Sequence, residues 1–195
     1  MINPNFVFLG VAISFVGGLS YVVDTLKGRT KPNRVSWFIW ALAPLIAFIA
    51  ELKHGVGIQA LMTFIVGFNP LLVFIASFVN KKSEWKLGRL DMLCGALSLV
   101  GLVLWFISKN PNVAILFSIL SDGLAGIPTI VKSYHFPETE NYYGYLAPAI
   151  SALITLATIS VWNFAHYGFP IYIFFICTLL FVLIKFKVGK NFASK

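Results

Sequence analysis

The acidic residue Asp122 lies near the middle of a long apolar run, between Val113 and Val131. A carboxylate at the centre of a hydrophobic helix costs about 2.5–3.5 kcal/mol on insertion scales, so it is expected to face a bundle interior or a water-filled cavity. Ser118 and Ser121 supply the nearest hydroxyl groups on the same run. These side chains could bind a polar solute, with Asp122 accepting from substrate hydroxyls or carrying a coupling proton. The alternative is a structural acid that is hydrogen-bonded to hydroxyls of a neighbouring helix.

The pair Asn69-Pro70 interrupts another apolar run, Val56–Val79, close to its middle. Proline removes one helical hydrogen bond and frees a carbonyl, and asparagine brings both a donor and an acceptor. Broken helices near the middle of a membrane often line a transport site. The pair is therefore a second candidate binding element and a candidate hinge. The alternative is a proline kink with a capping asparagine.

Four aromatic residues form two pairs with a spacing of three, Trp37 with Trp40 and Tyr142 with Tyr145. This spacing places the members of each pair on one helix face. The functional interpretation is a set of aromatic plates that gate one end of a cavity. The alternative is the belt of Trp and Tyr found at membrane interfaces.

The His and Cys residues indicate no catalytic or metal site. His54, His135 and His166 are scattered along the chain, and Cys94 and Cys177 fall in apolar runs without the spacing of metal ligands. No residue set supports acyl, phosphoryl or hydride transfer. The sequence therefore predicts that the protein is not an enzyme and that it holds no cofactor and no metal.

The composition indicates a protein that lives in a membrane. The chain has 195 residues, of which 58% are hydrophobic and 11% are charged, whereas soluble domains carry about 25% charged residues. So few charges could not cover the surface in water, which excludes a soluble enzyme, a disordered chain and a disulfide-stapled secreted domain. We therefore expect an all-α integral membrane protein, because helices satisfy their own backbone hydrogen bonds in hydrocarbon.

Seven apolar segments each approach the ~20 residues that a helix needs to cross a bilayer. They run over Asn5–Val23, Val35–Ala50, Val56–Val79, Leu90–Ile107, Val113–Val131, Tyr142–Trp162 and Phe169–Lys185. No polar linker divides them, so residues 1–195 are predicted to form a single membrane domain.

The basic residues predict the orientation of these seven segments. All Lys and Arg residues except Lys53 and Lys109 fall in the loops or ends on one side of the predicted bundle. By the positive-inside rule, that side is cytoplasmic, with the N-terminus outside and the C-terminus inside. The net charge of +8 then reflects topology and contact with anionic lipid, not nucleic-acid binding.

An internal repeat relates the first and fifth segments and the loops that follow them. Tyr21 and Pro128 hold equivalent late positions in the two segments, which makes them candidate hinges. Further pairs at a second offset are Pro32 with Pro137, Ser36 with Asn141, Trp37 with Tyr142 and Trp40 with Tyr145. The repeat predicts two parallel three-helix units, residues 1–80 and 111–188, and a linker helix at 88–109 that inverts the chain between them. Parallel repeats with a site between them are one known plan of transporters.

These features resemble the PQ-loop superfamily, which includes the SWEET sugar transporters. The likeness rests on the 3+1+3 arrangement and on Pro128, which is followed by Thr129 where the superfamily has Gln. A closer likeness is to an uncharacterised family of bacterial seven-span proteins, carried by the stretch 27–40 and by Asp122, Pro128-Thr129 and Pro137-Glu138. The resemblance implies a SWEET-like bundle in a bacterial inner membrane.

The residues and the resemblance together predict a transporter that moves a small polar solute by alternating access. Asp122, Asn69, Ser118 and Ser121 would line the site. The alternative is a receptor or regulatory subunit of the same fold, which binds a ligand without moving it and uses its basic loops for docking. The expected partners are a small-molecule solute and membrane lipid, and a homo-oligomer is compatible with the sequence.

Overall fold

The computed structural model describes residues 1–108 and 110–193, and within them the chain is helical and forms no strand. Lys109 and Lys195, which entered the charge count, lie outside the described residues. The helices are α1 (Phe6–Leu26), α2 (Arg34–Lys53), α3 (Ala60–Ala76), α4 (Arg89–Ser108), α5 (Pro111–His135), α6 (Tyr143–Thr158), α7 (Phe164–Lys185) and α8 (Val188–Ala193).

Asparagine side chains cap the starts of several helices. The side chains of Asn33, Asn110 and Asn163 accept from backbone N–H groups in the first turns of α2, α5 and α7, which satisfies donors that a helix leaves free at its start. The cap at Asn163 explains why α7 begins at Phe164, five residues before the segment expected from hydropathy. Pro170 lies inside that helix.

Five of the described helical segments are long and apolar enough to cross a membrane. They are Phe6–Leu26, Arg34–Lys53, Gly57–Ala76, Asn112–His135 and Phe164–Lys185. Helix α6 is apolar but shorter, because it ends at Thr158 and Ile159 is extended. The expectation of an integral membrane protein built from helices is thus confirmed.

The distribution of side chains fits a lipid-facing exterior. Large apolar residues point outward, with Val16 65% and Phe175 67% exposed. Polar residues such as Ser14, Thr63 and Asp122 are buried. Polar groups are expensive in hydrocarbon, so a membrane bundle turns them inward.

Helices from the first half of the chain pack against helices from the second half. Helix α1 contacts α6 and α3, α2 contacts α3 and α5, α6 contacts α7, and α4 lies mainly on α5. Gly17 allows the close approach of α1 and α6, because a Cβ at this position would collide with Ala147. Small residues commonly permit such approaches between membrane helices.

One end of the bundle carries most of the described Lys and Arg residues. We call this end the basic face and define it as loops 27–33, 77–88 and 136–142 together with α8. The loops bind one another: Lys31 N–H donates to the Thr139 carbonyl at 2.9 Å, and Asn80 Nδ2 donates to the Leu26 carbonyl at 2.8 Å. These bonds hold together the loops that follow α1, α3 and α5.

Two asparagines cap α2 and α6 in the same way. The Oδ1 atoms of Asn33 and Asn141 each accept from the backbone N–H groups two and three residues later. Each Nδ2 then donates to a carboxylate, Asp91 for Asn33 and Asp24 for Asn141. The starts of α2 and α6 are thus built alike.

In each of these two helix starts an aromatic residue follows the capping asparagine by four positions, Trp37 after Asn33 and Tyr145 after Asn141. The repeat expected from the sequence, which pairs Ser36 with Asn141 and Trp37 with Tyr142, stays a prediction.

Candidate functional site

A cavity of about 60 Å³ lies inside the bundle, between α1, α2, α3, α5, α6 and α7. At roughly 10–15 Å³ for each water centre, it has room for several waters or a compact solute. Its walls are mostly apolar and aromatic, and they include Asn69 from α3 and Asp122 from α5. A mainly apolar cavity with a few polar groups is the usual form of a small-molecule site.

Asp122 is held in place by two neighbouring helices. Its Oδ2 accepts from the Tyr172 hydroxyl on α7 at 2.6 Å, and its backbone carbonyl accepts from the Trp40 indole on α2 at 3.0 Å. The residue is only 4% exposed. Asp122 therefore joins α2, α5 and α7 and leaves Oδ1 without a donor among the described residues.

Asn69 reaches across the cavity wall to α1. Its Nδ2 donates to the Ser14 carbonyl at 2.8 Å, and Gly18 makes room for it, because a Cβ at Gly18 would collide with the Asn69 side chain. Its Oδ1 is buried and has no partner among the described residues. Leaving a buried amide oxygen without a donor costs desolvation free energy. A ligand that donates a hydrogen bond to Asn69 Oδ1 would recover this cost.

Prolines add further acceptors around the cavity. Five of the lining helices carry an internal proline. In three of them the residue four positions before the proline also lines the cavity, and these prolines are Pro44 in α2, Pro70 in α3 and Pro148 in α6. Each removes the N–H that would bind the carbonyl four residues earlier. Those carbonyls belong to the lining residues Trp40, Val66 and Gly144.

Four aromatic rings form the wall toward the basic face. Tyr21 and Trp37 have ring centroids 4.5 Å apart, Trp37 and Trp40 are 5.4 Å apart, and Tyr145 lies 6.1 Å from Tyr21. All four are buried and line the cavity. We call them the aromatic wall.

A buried ion pair lies directly behind this wall. Glu140 Oε2 accepts from the hydroxyls of Tyr21 at 2.6 Å and Tyr145 at 2.8 Å, and Oε1 binds Lys132 Nζ at 2.6 Å. Lys132 Nζ also donates to the Lys31 carbonyl and lies 4.7 Å from the centre of the Trp85 ring. The two charged side chains are 1% and 0% exposed. This network ties α1, α5 and α6 together at the basic face.

The residues predicted from the sequence fall into two groups. Those that line the cavity are Asp122, Asn69, Pro70, Tyr21, Trp37, Trp40 and Tyr145. Ser118, Ser121, Tyr142 and Pro128 lie outside that lining.

The members of the second group have other surroundings. Ser121 faces α4, since a Cβ at Gly101 would collide with its Oγ, and the Ser118 hydroxyl is buried without a partner among the described residues. Tyr142 packs against Tyr143 at 4.2 Å. Pro128 is buried inside α5.

Three residues at or directly behind the cavity wall were not predicted from the sequence: Tyr172, Glu140 and Lys132. Tyr172 is one of many aromatic residues on α7, and nothing local marks it as the partner of Asp122. Glu140 follows Glu138 in a polar loop, where both look like surface residues. The one available signal was Lys132, a lone lysine in the last turn of an apolar helix.

The chain was compared with known protein families, curated proteins and solved structures. No protein-family model matches the chain, and no match is found among the curated proteins or the solved structures. The chemistry of the cavity therefore rests on Asp122, Asn69 and the aromatic wall.

Proposed function

We propose that the protein is a membrane transporter that moves a small polar solute by alternating access. The observation that carries the proposal is the internal cavity, which is lined by a carboxylate and an unpaired amide oxygen and has the aromatic wall on the side of the basic face. Burying the Asp122 carboxylate and the Asn69 amide oxygen costs free energy in a protein that binds nothing there. The cost is recovered if a solute or water donates hydrogen bonds to them.

The proposed architecture is a seven-span bundle in a 3+1+3 arrangement, similar to the SWEET proteins of the PQ-loop superfamily. Helices α1–α3 and α5–α7 are the two units, and α4 links them. The helix contacts support this arrangement, because the contact of α1 with α6 has a counterpart in the contact of α5 with α2. The like caps at Asn33 and Asn141 support it too. The cavity then lies between the units, where parallel repeats hold their substrate.

The proposed location is a bacterial inner membrane, with the basic face in the cytoplasm and the N-terminus outside. The gathering of Lys and Arg at the basic face supports this orientation. The aromatic wall and Glu140 are then the inner gate. Opening this gate requires at least one of the two tyrosine hydroxyls to leave Glu140, the acceptor that links α1 and α6.

Asp122 is the proposed binding residue, and it is able to couple transport to a proton. Its hydrogen bond from Tyr172 connects the carboxylate to α7, while Asn69 sits on the other unit. A solute bound to both would bridge the two units. Binding or release of a solute or a proton at Asp122 would then change the contacts between the two units.

The native Cys177 offers a direct test, because it lines the cavity from α7. We would use the variant Cys94→Ala, in vesicles of known orientation, and apply a membrane-impermeant thiol reagent to either side. Alternating access predicts that Cys177 is labelled from both sides. Labelling from the first side should then block labelling from the second.

The matched control removes both thiols through Cys94→Ala and Cys177→Ala, and it should not be labelled. Labelling from one side alone, including in Glu140→Gln, would contradict transport. That result would favour a receptor that binds a ligand in a fixed cavity.

A further inference from the structure

We infer that the solute is a small organic cation of the methylated ammonium class. The inference rests on the proposed function, since it takes the cavity to be the substrate site. Its basis is the combination of one carboxylate, unpaired acceptors and an aromatic wall in the same space.

The charged groups of the lining favour a cation. Asp122 is the one acidic residue among the lining residues described, and no Lys, Arg or His joins it there. The nearby Lys132 stands outside the lining, where Glu140 neutralises it at 2.6 Å. An anionic solute would meet uncompensated repulsion from Asp122, whereas a cation would pair with it in a site of low dielectric.

The hydrogen-bonding groups also favour a ligand that does not need many donors. Donors at the cavity are mostly engaged: Tyr172 binds Asp122, Trp40 binds the backbone of α5, and Asn69 Nδ2 binds α1. The Trp37 indole N–H has no acceptor and Asn69 Oδ1 has no donor among the described residues. A sugar-like solute presents many hydroxyls, and each of them needs both kinds of partner.

The aromatic wall supplies the remaining attraction. The wall consists of the electron-rich rings of Tyr21, Trp37, Trp40 and Tyr145, and neighbouring ring centroids are 4.5–6.4 Å apart. Such rings attract cations, tryptophan most strongly, and cages of them recognise quaternary ammonium groups. Trp40 joins the two features, because its indole also donates to the Asp122 carbonyl. A cation between them would contact the carboxylate and the rings together.

The experiment compares choline with its neutral isostere 3,3-dimethylbutan-1-ol, which has the same shape without the charge. The melting temperature of the purified protein in detergent is measured with each compound. Choline should raise the melting temperature, because a ligand that binds only the folded state stabilises it. The neutral isostere should not. Equal shifts from both compounds, or no shift from choline, would overturn the inference.

Variants assign the effect to the cavity. Asp122→Asn should lose the choline shift, whereas Glu138→Gln, which removes a carboxylate at the basic face, should keep it. If Asp122→Asn does not fold, the same question is answered in the Cys94→Ala protein. There, choline should protect Cys177 from the thiol reagent and the isostere should not; absence of protection would overturn the inference.

The two proposals fail in distinguishable ways. If Cys177 is labelled from both sides but choline neither stabilises nor protects, the transport proposal stands and the cation class is wrong. If choline binds but labelling comes from one side only, the cation site stands and the protein is a receptor for it.

Discussion

Tyr21 on α1 and Tyr145 on α6 donate to the same carboxylate oxygen, Glu140 Oε2, at 2.6 and 2.8 Å. The two hydroxyls come from different proposed units and meet on a residue of the loop between α5 and α6. A single carboxylate thereby links α1 and α6 directly behind the aromatic wall. In the proposed transport cycle, the basic face opens only if this shared acceptor releases at least one of them.

Replacing Glu140 should both destabilise the protein and open the basic face. Glu140→Gln leaves Lys132 without its buried counter-charge, and breaking a buried pair in this way costs about 3–5 kcal/mol. We expect a lower melting temperature and faster labelling of Cys177 from the basic face. The matched control is Glu138→Gln, whose partner Lys190 is half-exposed, so its cost should stay within about 1 kcal/mol. Unchanged labelling in Glu140→Gln would argue against a gate here.

Replacing Asp122 should abolish uptake, whereas replacing Tyr172 should lower stability. Asp122→Asn keeps an acceptor for the Tyr172 hydroxyl, so the protein should fold, while uptake of its solute is lost. Tyr172→Phe removes one hydrogen bond to a carboxylate and should cost about 1.5–3 kcal/mol of stability with uptake retained. Melting curves and uptake into proteoliposomes measure both. Full uptake in Asp122→Asn would leave Asp122 with a structural role.

Gly18 should be needed for the position of Asn69. Gly18→Ala places a Cβ about 2.6 Å from Asn69 Nδ2, and overpacking of this kind costs ~1–3 kcal/mol. We expect weaker solute binding, measured by thermal shift. The control is Gly126→Ala near the same cavity, where a Cβ would lie 3.6 Å from Trp40 and has room. If Gly126→Ala weakens binding as much, the effect is not specific to Asn69.

Ser118 and Ser121 on α5 should be dispensable for binding. Ser121 faces α4, and its hydroxyl is buried without a partner among the described residues. Ser121→Ala and Ser118→Ala remove unsatisfied groups and should leave stability and the solute-induced shift unchanged. A lost shift in either variant, in a protein that still folds, would restore that serine to the site.

The contact between α8 and loop 136–142 should depend on pH. The hydrogen bond from Lys190 lowers the pKa of Glu138 below its ordinary value of 4.5. A carboxyl with a lowered pKa stabilises the fold above its ordinary pKa and loses that contribution as the pH falls through the lowered value. The pair is half-exposed, so the effect on stability is small. NMR titration of the Glu138 carboxyl should show its pKa rising toward the ordinary value in Lys190→Met; an unchanged value would contradict this contact.

The fold class was predictable because its signal is local. Long apolar runs and sparse charges indicate membrane helices whatever their neighbours are, and the structure confirms an all-helical protein with several such helices. The ends of the helices were less predictable. Hydropathy started the last long helix at Phe169, but the Asn163 cap starts it at Phe164, since a side-chain cap does not register as hydropathy.

The sequence by itself determined the helical membrane class and marked Asp122 and Asn69 as polar residues that hydrocarbon would not tolerate on the outside. Only the tertiary structure decided their partners. Tyr172 lies 50 residues from Asp122, and Tyr21 lies 119 residues from Glu140. Such pairings depend on how each helix is rotated and packed against the others, and a helix presents residues to its neighbours in every direction. The sequence therefore shows that a buried carboxylate needs a partner, but the packing of the helices selects which one it finds.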